Sequence, residues 1–202
     1  MFITLEGIDG SGKSTQLKNI AKFLEIHAPS RFLITREPGG WSGGEALKKI
    51  LLETEDLDVA SELLLFFADR NEHVRRVIVP AFEKGIDVVC ERYTDSTEAY
   101  QAGKNSISKE MIQDLTKIFA FPLPDITIFY AVSPEVALQR LRNRNALDAI
   151  EARGIDFLAG VAHRYDDLYR QNSSRIVRVD ANSSSDVVWE ETKKILEERL
   201  TL

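Results

Sequence analysis

Residues 7–14 read Gly7-Ile8-Asp9-Gly10-Ser11-Gly12-Lys13-Ser14, a complete G-x-x-x-x-G-K-S phosphate-binding loop. The apolar run Phe2-Ile3-Thr4-Leu5 precedes it and a helix-patterned stretch over 13–27 follows, the strand–loop–helix setting that such a loop requires. The glycines let the backbone turn tightly and bring N–H groups up to phosphate oxygens. The helix that opens at Lys13 adds the positive end of its dipole. Gly7, Gly10, Ser11, Gly12, Lys13, Ser14 and Thr15 therefore form the expected nucleotide-phosphate cradle. Within it Lys13 reaches the β- and γ-phosphates and the Ser14 hydroxyl is suited to Mg²⁺.

Strand and helix patterns alternate along the rest of the chain, which predicts a parallel sheet covered on both faces. Strands are expected at Phe2–Glu6, Phe32–Thr35, Asp87–Cys90, Ile126–Val132 and Ile176–Val179. Helices are expected near 13–27, 43–53, 59–84, 108–120, 134–144, 153–171 and 186–200. Ser133-Pro134 reads as an N-cap with proline at the first helical position, and Ser183-x-x-Asp186 resembles a capping box. The expected fold class is α/β: a three-layer P-loop NTPase fold, with a five-stranded parallel sheet flanked by helices. No repeat, low-complexity tract or Pro/Gly/Ser-rich linker divides the 202 residues, so a single domain over 1–202 is expected.

Composition narrows the possible partners. The chain has no apolar run long enough to span a bilayer and no signal-peptide pattern, and its single cysteine, Cys90, lies in an apolar strand. A reduced, cytoplasmic setting without membrane attachment is expected. A formal net charge of −6 argues against general nucleic-acid binding, so an anionic ligand must be held by local clusters of cations.

The loop alone leaves the reaction open, because GTPases, motor ATPases and small-molecule kinases all carry it. The guanine signature Asn-Lys-x-Asp is absent; the nearest string is Asn145-Ala146-Leu147-Asp148. Strand three runs into Glu91-Arg92-Tyr93, which puts an arginine suited to bidentate phosphate capture at the carboxyl end of a strand. Further clusters are Arg36-Glu37-Pro38-Gly39-Gly40, Phe66-Phe67-Ala68-Asp69-Arg70 and Thr94-Asp95-Ser96-Thr97-Glu98-Ala99-Tyr100-Gln101. Arg140, Arg142 and Arg144 crowd the segment before Asp148 and Glu151.

Together with Glu6-Gly7-Ile8-Asp9, this ordered set resembles the signature of the thymidylate kinases, the nucleoside-monophosphate kinases that phosphorylate dTMP. The resemblance runs from Met1 to about Tyr169 and more loosely through Val179-Asp180-Ala181 to the end. It implies MgATP as phosphoryl donor, dTMP as acceptor and dTDP and ADP as products. It implies catalytic roles for Lys13, Asp9, Arg92, Arg140 and Arg144, with Arg140 and Arg144 also at the ATP. Asp9, Arg36, Pro38, Phe66, Arg70, Arg92, Thr97, Tyr100 and Gln101 would bind dTMP. In that scheme Phe66 stacks on the base, Arg92 holds the phosphate and Tyr100 gates against a 2′-hydroxyl. Ser14, Asp9 and Glu91 would serve the metal. The resemblance also implies a homodimer, with 59–84 as a candidate interface helix, and a lid over about 140–153. The Glu37–Pro38 bond is a candidate for the cis form.

Gly10 stands where one branch of the family carries an arginine, and in this the chain resembles the other branch, which supplies arginines from the lid. The chain departs from the family pattern in three places: Glu91 replaces an aspartate, Ala149 stands where arginine is common, and Trp41 stands where threonine usually follows Pro-Gly-Gly. Two other readings use the same loop: a kinase for a different nucleoside or nucleotide, and a nucleotide-binding protein without transfer activity.

Overall fold

The computed structural model describes residues 1–103, 107–143 and 154–200. Five parallel strands, β1 (Phe2–Glu6), β2 (Phe32–Arg36), β3 (Asp87–Glu91), β4 (Ile126–Ala131) and β5 (Ile176–Asp180), form one sheet in the order β2-β3-β1-β4-β5. Each expected strand is present. β1 is central and buried throughout, which is why its apolar run does not alternate. Its register sets Leu5 beside Glu91, and β2 in turn sets Arg36 beside Glu91. The carboxyl ends of β1, β2 and β3 therefore open onto one crevice, where open α/β sheets bind ligands.

Helices pack on both faces: α1 (Lys13–His27), α2 (Gly44–Glu53), α3 (Val59–His73), α4 (Val79–Glu83), α5 (Thr94–Gln101), α6 (Lys109–Ile118), α7 (Pro134–Arg142), α8 (Ile155–Gln171) and α9 (Ser185–Arg199). One core gathers Ile3, Leu5, Ile20, Ile128, Leu158 and Leu196; the other gathers Phe2, Leu63, Phe67, Val88, Cys90 and Phe121. The two cores are the two faces of the sheet, and they bury the thiol of Cys90.

Three expectations need correction. The single helix expected over 59–84 is α3, a π turn at Val74–Ile78 and α4. Pro80 lacks an N–H and its ring crowds the preceding turn, so the Val79 N–H reaches back to the Val74 carbonyl and the helix widens before the proline. The segment after β3, read only as a motif, is the helix α5, and its N-cap residue Tyr93 offers no side-chain cap. The Ser183/Asp186 capping box does not form: α9 starts from Ser184 with no side-chain cap bond, and the Ser183 carbonyl accepts from Arg140. The Ser133 cap of α7 does form, its hydroxyl accepting the Val136 N–H at 3.3 Å. Arg144, Asp148, Ala149, Glu151 and Arg153 lie outside the described residues, as does the lid from 144 to 153.

Candidate active site

The phosphate loop is backbone held in conformations that favour glycine. Gly10 and Gly12 have φ of 80° and 91°. A Cβ on Gly10 would stand 2.5 Å from the Ala137 carbonyl oxygen of α7, so an arginine at this position has no room. The Lys13 ammonium is folded over the loop and donates to the carbonyls of Gly7 (2.9 Å) and Ile8 (2.8 Å) and to Ser11 Oγ (3.3 Å). Burial, reinforced by the nearby Arg92 cation, lowers its pKa to about 8.

On one side of the loop lies a cavity of about 400 Å³. Its walls bring together Asp9 and Ser14 from the loop, Arg36 and Pro38 after β2, and Phe66 and Arg70 from α3. Glu91 and Arg92 at the end of β3 and Thr97, Tyr100 and Gln101 from α5 also line it, with Glu37, Lys48, Leu52 and Ser96 between them. Apart from these last four, the lining residues span more than ninety positions of sequence, and every one was expected at the acceptor or the metal.

Cations and anions are already matched inside this cavity. Arg92 Nη2 pairs with Asp9 Oδ1, and Nη1 donates to the Gly7 carbonyl (3.3 Å) and Ser96 Oγ (3.2 Å). Tyr100 Oη donates to Asp9 Oδ2 (2.7 Å) and accepts the Asp9 N–H (3.0 Å), while the Arg92 guanidinium lies 5.0 Å from the Tyr100 ring. Burial opposes ionisation of Asp9, but the Arg92 and Lys13 charges and the Tyr100 hydrogen bond outweigh it and hold the carboxyl below its usual range. Ser14 Oγ donates to Glu91 Oε1 at 2.7 Å.

Arg70 is buried and heavily engaged, donating to Glu37 Oε2 (2.7 Å), Thr97 Oγ1 (2.7 Å) and the Tyr93 carbonyl (2.9 Å). Glu37, flanked by a cis bond to Pro38, also takes His73 Nδ1 at 2.9 Å. The Gln101 amide donates to Glu62 at 2.8 Å, and Arg36 forms a half-exposed ion pair with Glu45 at 2.9 Å.

A model of the thymidylate kinase family matches residues 5–192. The chain belongs to the thymidylate kinase family. It is 40% identical over 191 residues to the thymidylate kinase of Desulfosudis oleivorans, covering 90% of this chain and 89% of the relative. It is 38% identical over 205 residues to that of Mycoplasma capricolum, covering 99% and 96%. The crystal structure of the Ehrlichia chaffeensis thymidylate kinase superposes with a TM-score of 0.78 at 32% identity, covering 97% of this chain and 98% of that one. As a member of the family the chain phosphorylates dTMP to dTDP.

The other side of the thymidylate kinase loop is built differently. A cleft of about 230 Å³ is lined there by Gly10, Ser11, Gly12, Thr15, Arg140 and Ser183 among others. Arg140 is not drawn toward Arg92. Its guanidinium donates to the Ala181 and Ser183 carbonyls (both 2.9 Å), the Asn182 carbonyl (3.3 Å) and the Gly10 carbonyl (3.4 Å). It ties the end of α7 to the loop and to the β5–α9 connection. α7 ends at Arg142.

Three contributors escaped the sequence reading. Glu6 is fully buried and accepts from the Tyr93 N–H (2.7 Å), the Ser96 N–H (3.3 Å), Ser96 Oγ (2.5 Å) and Tyr165 Oη (2.8 Å). An acid closing a fully buried strand was the available signal; nothing local to Ser96 or Tyr165 marks them. Trp41 now has an account. Its indole N–H donates to Asp69 Oδ1 (2.9 Å), and the same carboxylate takes the Gly39 N–H (3.1 Å to Oδ2), which ties the Pro38 wall to α3.

Proposed function

We propose that transfer is direct and in line, from the ATP γ-phosphoryl to a phosphate oxygen of dTMP, with no covalent intermediate on the protein. The observation that carries this reading is the single cavity that joins Ser14 and Asp9 of the phosphate loop to Arg92 and to Phe66 and Arg70. Phe66 offers an aromatic face to a flat base, and Arg70, rigid in its bonds to Glu37 and Thr97, edges the same pocket. Arg92 holds the acceptor phosphate and screens its charge from the donor. Lys13 turns from the loop carbonyls to the β- and γ-phosphates, and its lowered pKa is restored by their negative charge. Tyr100, bonded to Asp9 beside the sugar side of the pocket, leaves little room for a 2′-hydroxyl.

Ser14, Asp9 and Glu91 present hydroxyl and carboxylate oxygens, the donor set that Mg²⁺ takes. Bound there, Mg²⁺ would neutralise charge on the phosphate oxygens. Glu91 reaches Ser14 without strain, so the extra methylene relative to aspartate is accommodated. Arg140 and the loop amides with Thr15 hold the donor side, and Arg144 and the lid over 140–153 close on it. A homodimer is proposed through α3, whose Leu64 is 61% exposed, in a cytoplasmic setting. Light scattering of the purified chain tests the dimer, and a monomer would remove it.

The test of the reaction is ADP release with MgATP and dTMP, dUMP, CMP, AMP or GMP, against controls without acceptor. dTMP-dependent turnover with dUMP well behind is expected. Preference for another acceptor would reassign the base pocket, and binding of both nucleotides without turnover would favour the non-catalytic reading.

A further inference from the structure

We infer that Glu6 is a positioning residue for the acceptor phosphate, acting on Arg92 through the hydroxyl of Ser96. This rests on the reading of Arg92 as the phosphate-holding cation. Arg92 has φ of 65°, a conformation unfavourable for a residue with a side chain, and its N–H donates to the Leu5 carbonyl (2.9 Å). That backbone turns the guanidinium across the end of β1 toward the phosphate loop. Asp9 fixes one nitrogen of the fork, and Ser96 Oγ (3.2 Å) and the Gly7 carbonyl (3.3 Å) fix the other.

Hydrogen-bond direction carries the argument. A hydroxyl has one hydrogen to give and lone pairs to receive. Ser96 Oγ–H donates to Glu6 Oε2 (2.5 Å) and Tyr165 Oη–H donates to the same oxygen (2.8 Å). While Glu6 is ionised, Ser96 spends its hydrogen on the carboxylate, and its lone pairs are left for the Arg92 N–H and for Tyr165 Oη at 2.9 Å. Glu6 Oε1 is meanwhile taken by two backbone N–H groups, those of Tyr93 and Ser96, which cannot reverse. The carboxylate therefore also holds the first turn of α5, the helix that carries Thr97, Tyr100 and Gln101, in place of the missing side-chain cap.

Glu6→Gln tests this with every heavy-atom position retained. The two backbone donors force the amide oxygen to the Oε1 side, so the NH₂ group faces the two hydroxyls. Ser96 must then accept from the amide, and its hydrogen, no longer fixed on a carboxylate, is shared between Tyr165 Oη (2.9 Å) and the side facing Arg92. The amide therefore competes with Arg92 for the Ser96 lone pairs.

The experiment is steady-state kinetics at about pH 8, where Glu6 is ionised, of wild type, Glu6→Gln, Ser96→Ala, the double variant and Arg92→Ala. Expected is a folded Glu6→Gln whose kcat/KM for dTMP falls roughly tenfold, about the effect of losing one hydrogen bond to a charged group, with the KM for ATP unchanged. Ser96→Ala should show the same selective loss, and the double variant should lose no more than either single one. An unchanged kcat/KM for dTMP in Glu6→Gln, equal losses toward ATP and dTMP, or additive losses in the double variant would each overturn the relay. Should Glu6→Gln not fold, Ser96→Ala decides alone: selective loss supports the relay, and an unaltered dTMP dependence ends it. Arg92→Ala keeps the two ideas apart, because unaltered dTMP kinetics there would sink the role of Arg92 itself.

Discussion

The two sides of the phosphate loop recognise phosphate by opposite means. The donor side is almost entirely backbone from one contiguous segment, and the side chain placed there, Arg140, is spent on four carbonyls. The acceptor side is side chains from five separate places in the chain, with its two buried arginines already paired: Arg92 with Asp9, Arg70 with Glu37. Backbone recognition tolerates sequence drift wherever the glycine conformations survive. Side-chain recognition demands that distant segments arrive together, and the bonds among them hold the fork of Arg92 and the ring of Tyr100 in place before a ligand contributes anything.

Lys13 belongs to both sides and carries the largest expected effect. Its ammonium is buried on the loop carbonyls yet lies within electrostatic reach of Asp9 and Glu91. Lys13→Ala should lower kcat by roughly a thousandfold, as removal of a preorganised charge from phosphoryl transfer does, with dTMP binding kept. Equilibrium binding of dTMP alongside turnover checks this. A loss of dTMP affinity as large as the loss of rate would erase the division between the sides.

Glu6 gives the next effect, and it sharpens the contrast because no such acid serves the donor side among the described residues. Burial, with Asp95 adding repulsion, pushes its pKa from 4.5 up to about 7, against the pull of Ser96, Arg92 and Tyr165. The folded protein thus holds a proton that the unfolded chain releases between these values. Stability from this group is full below about 4.5 and falls as pH rises toward 7. The span corresponds to about 3 kcal/mol. Thermal melts from pH 5 to 8 should therefore decline less steeply in Glu6→Gln than in wild type; parallel curves would mean that the carboxyl stays ionised throughout.

The same contrast explains what could be read from the sequence. The donor side was legible because its geometry is local: glycines at fixed spacing, a lysine, a helix start. The central strands were legible because buried parallel strands are near-continuous apolar runs, as at Ile126–Ala131, and the edge strands β2 and β5 were legible from short β-branched stretches. The acceptor residues were found only through their resemblance to a known family, since nothing in Phe66 or Thr97 taken alone points to a ligand. α5 was missed as a helix because its cap is Glu6, ninety residues earlier. The widening before Pro80 was missed because periodicity continues smoothly across a π turn. Arg140 was legible as a cation but not as a clamp, since its acceptors are main-chain atoms of another connection.

Phe66 and Trp41 separate contact from support within the acceptor side. Phe66→Ala removes the aromatic wall and should raise the KM for dTMP with a cost of about 1–3 kcal/mol, the usual worth of stacking one base. It should also narrow the gap between dTMP and dUMP, which a substrate competition assay measures.

Trp41→Phe should be the mildest. The smaller ring keeps an aromatic face toward the Arg76 guanidinium, 5.6 Å from the indole, but loses the indole N–H on Asp69 and part of the surface that lies against Gly43. Asp69 still receives the Gly39 N–H, so the Pro38 wall loosens without detaching from α3. A cost of about 1 kcal/mol is expected, seen as a several-fold higher KM for dTMP with kcat and the KM for ATP unchanged. If kcat falls instead, the wall reaches past the base to the transferring phosphoryl, and the separation between holding the acceptor and moving the phosphate fails at Trp41.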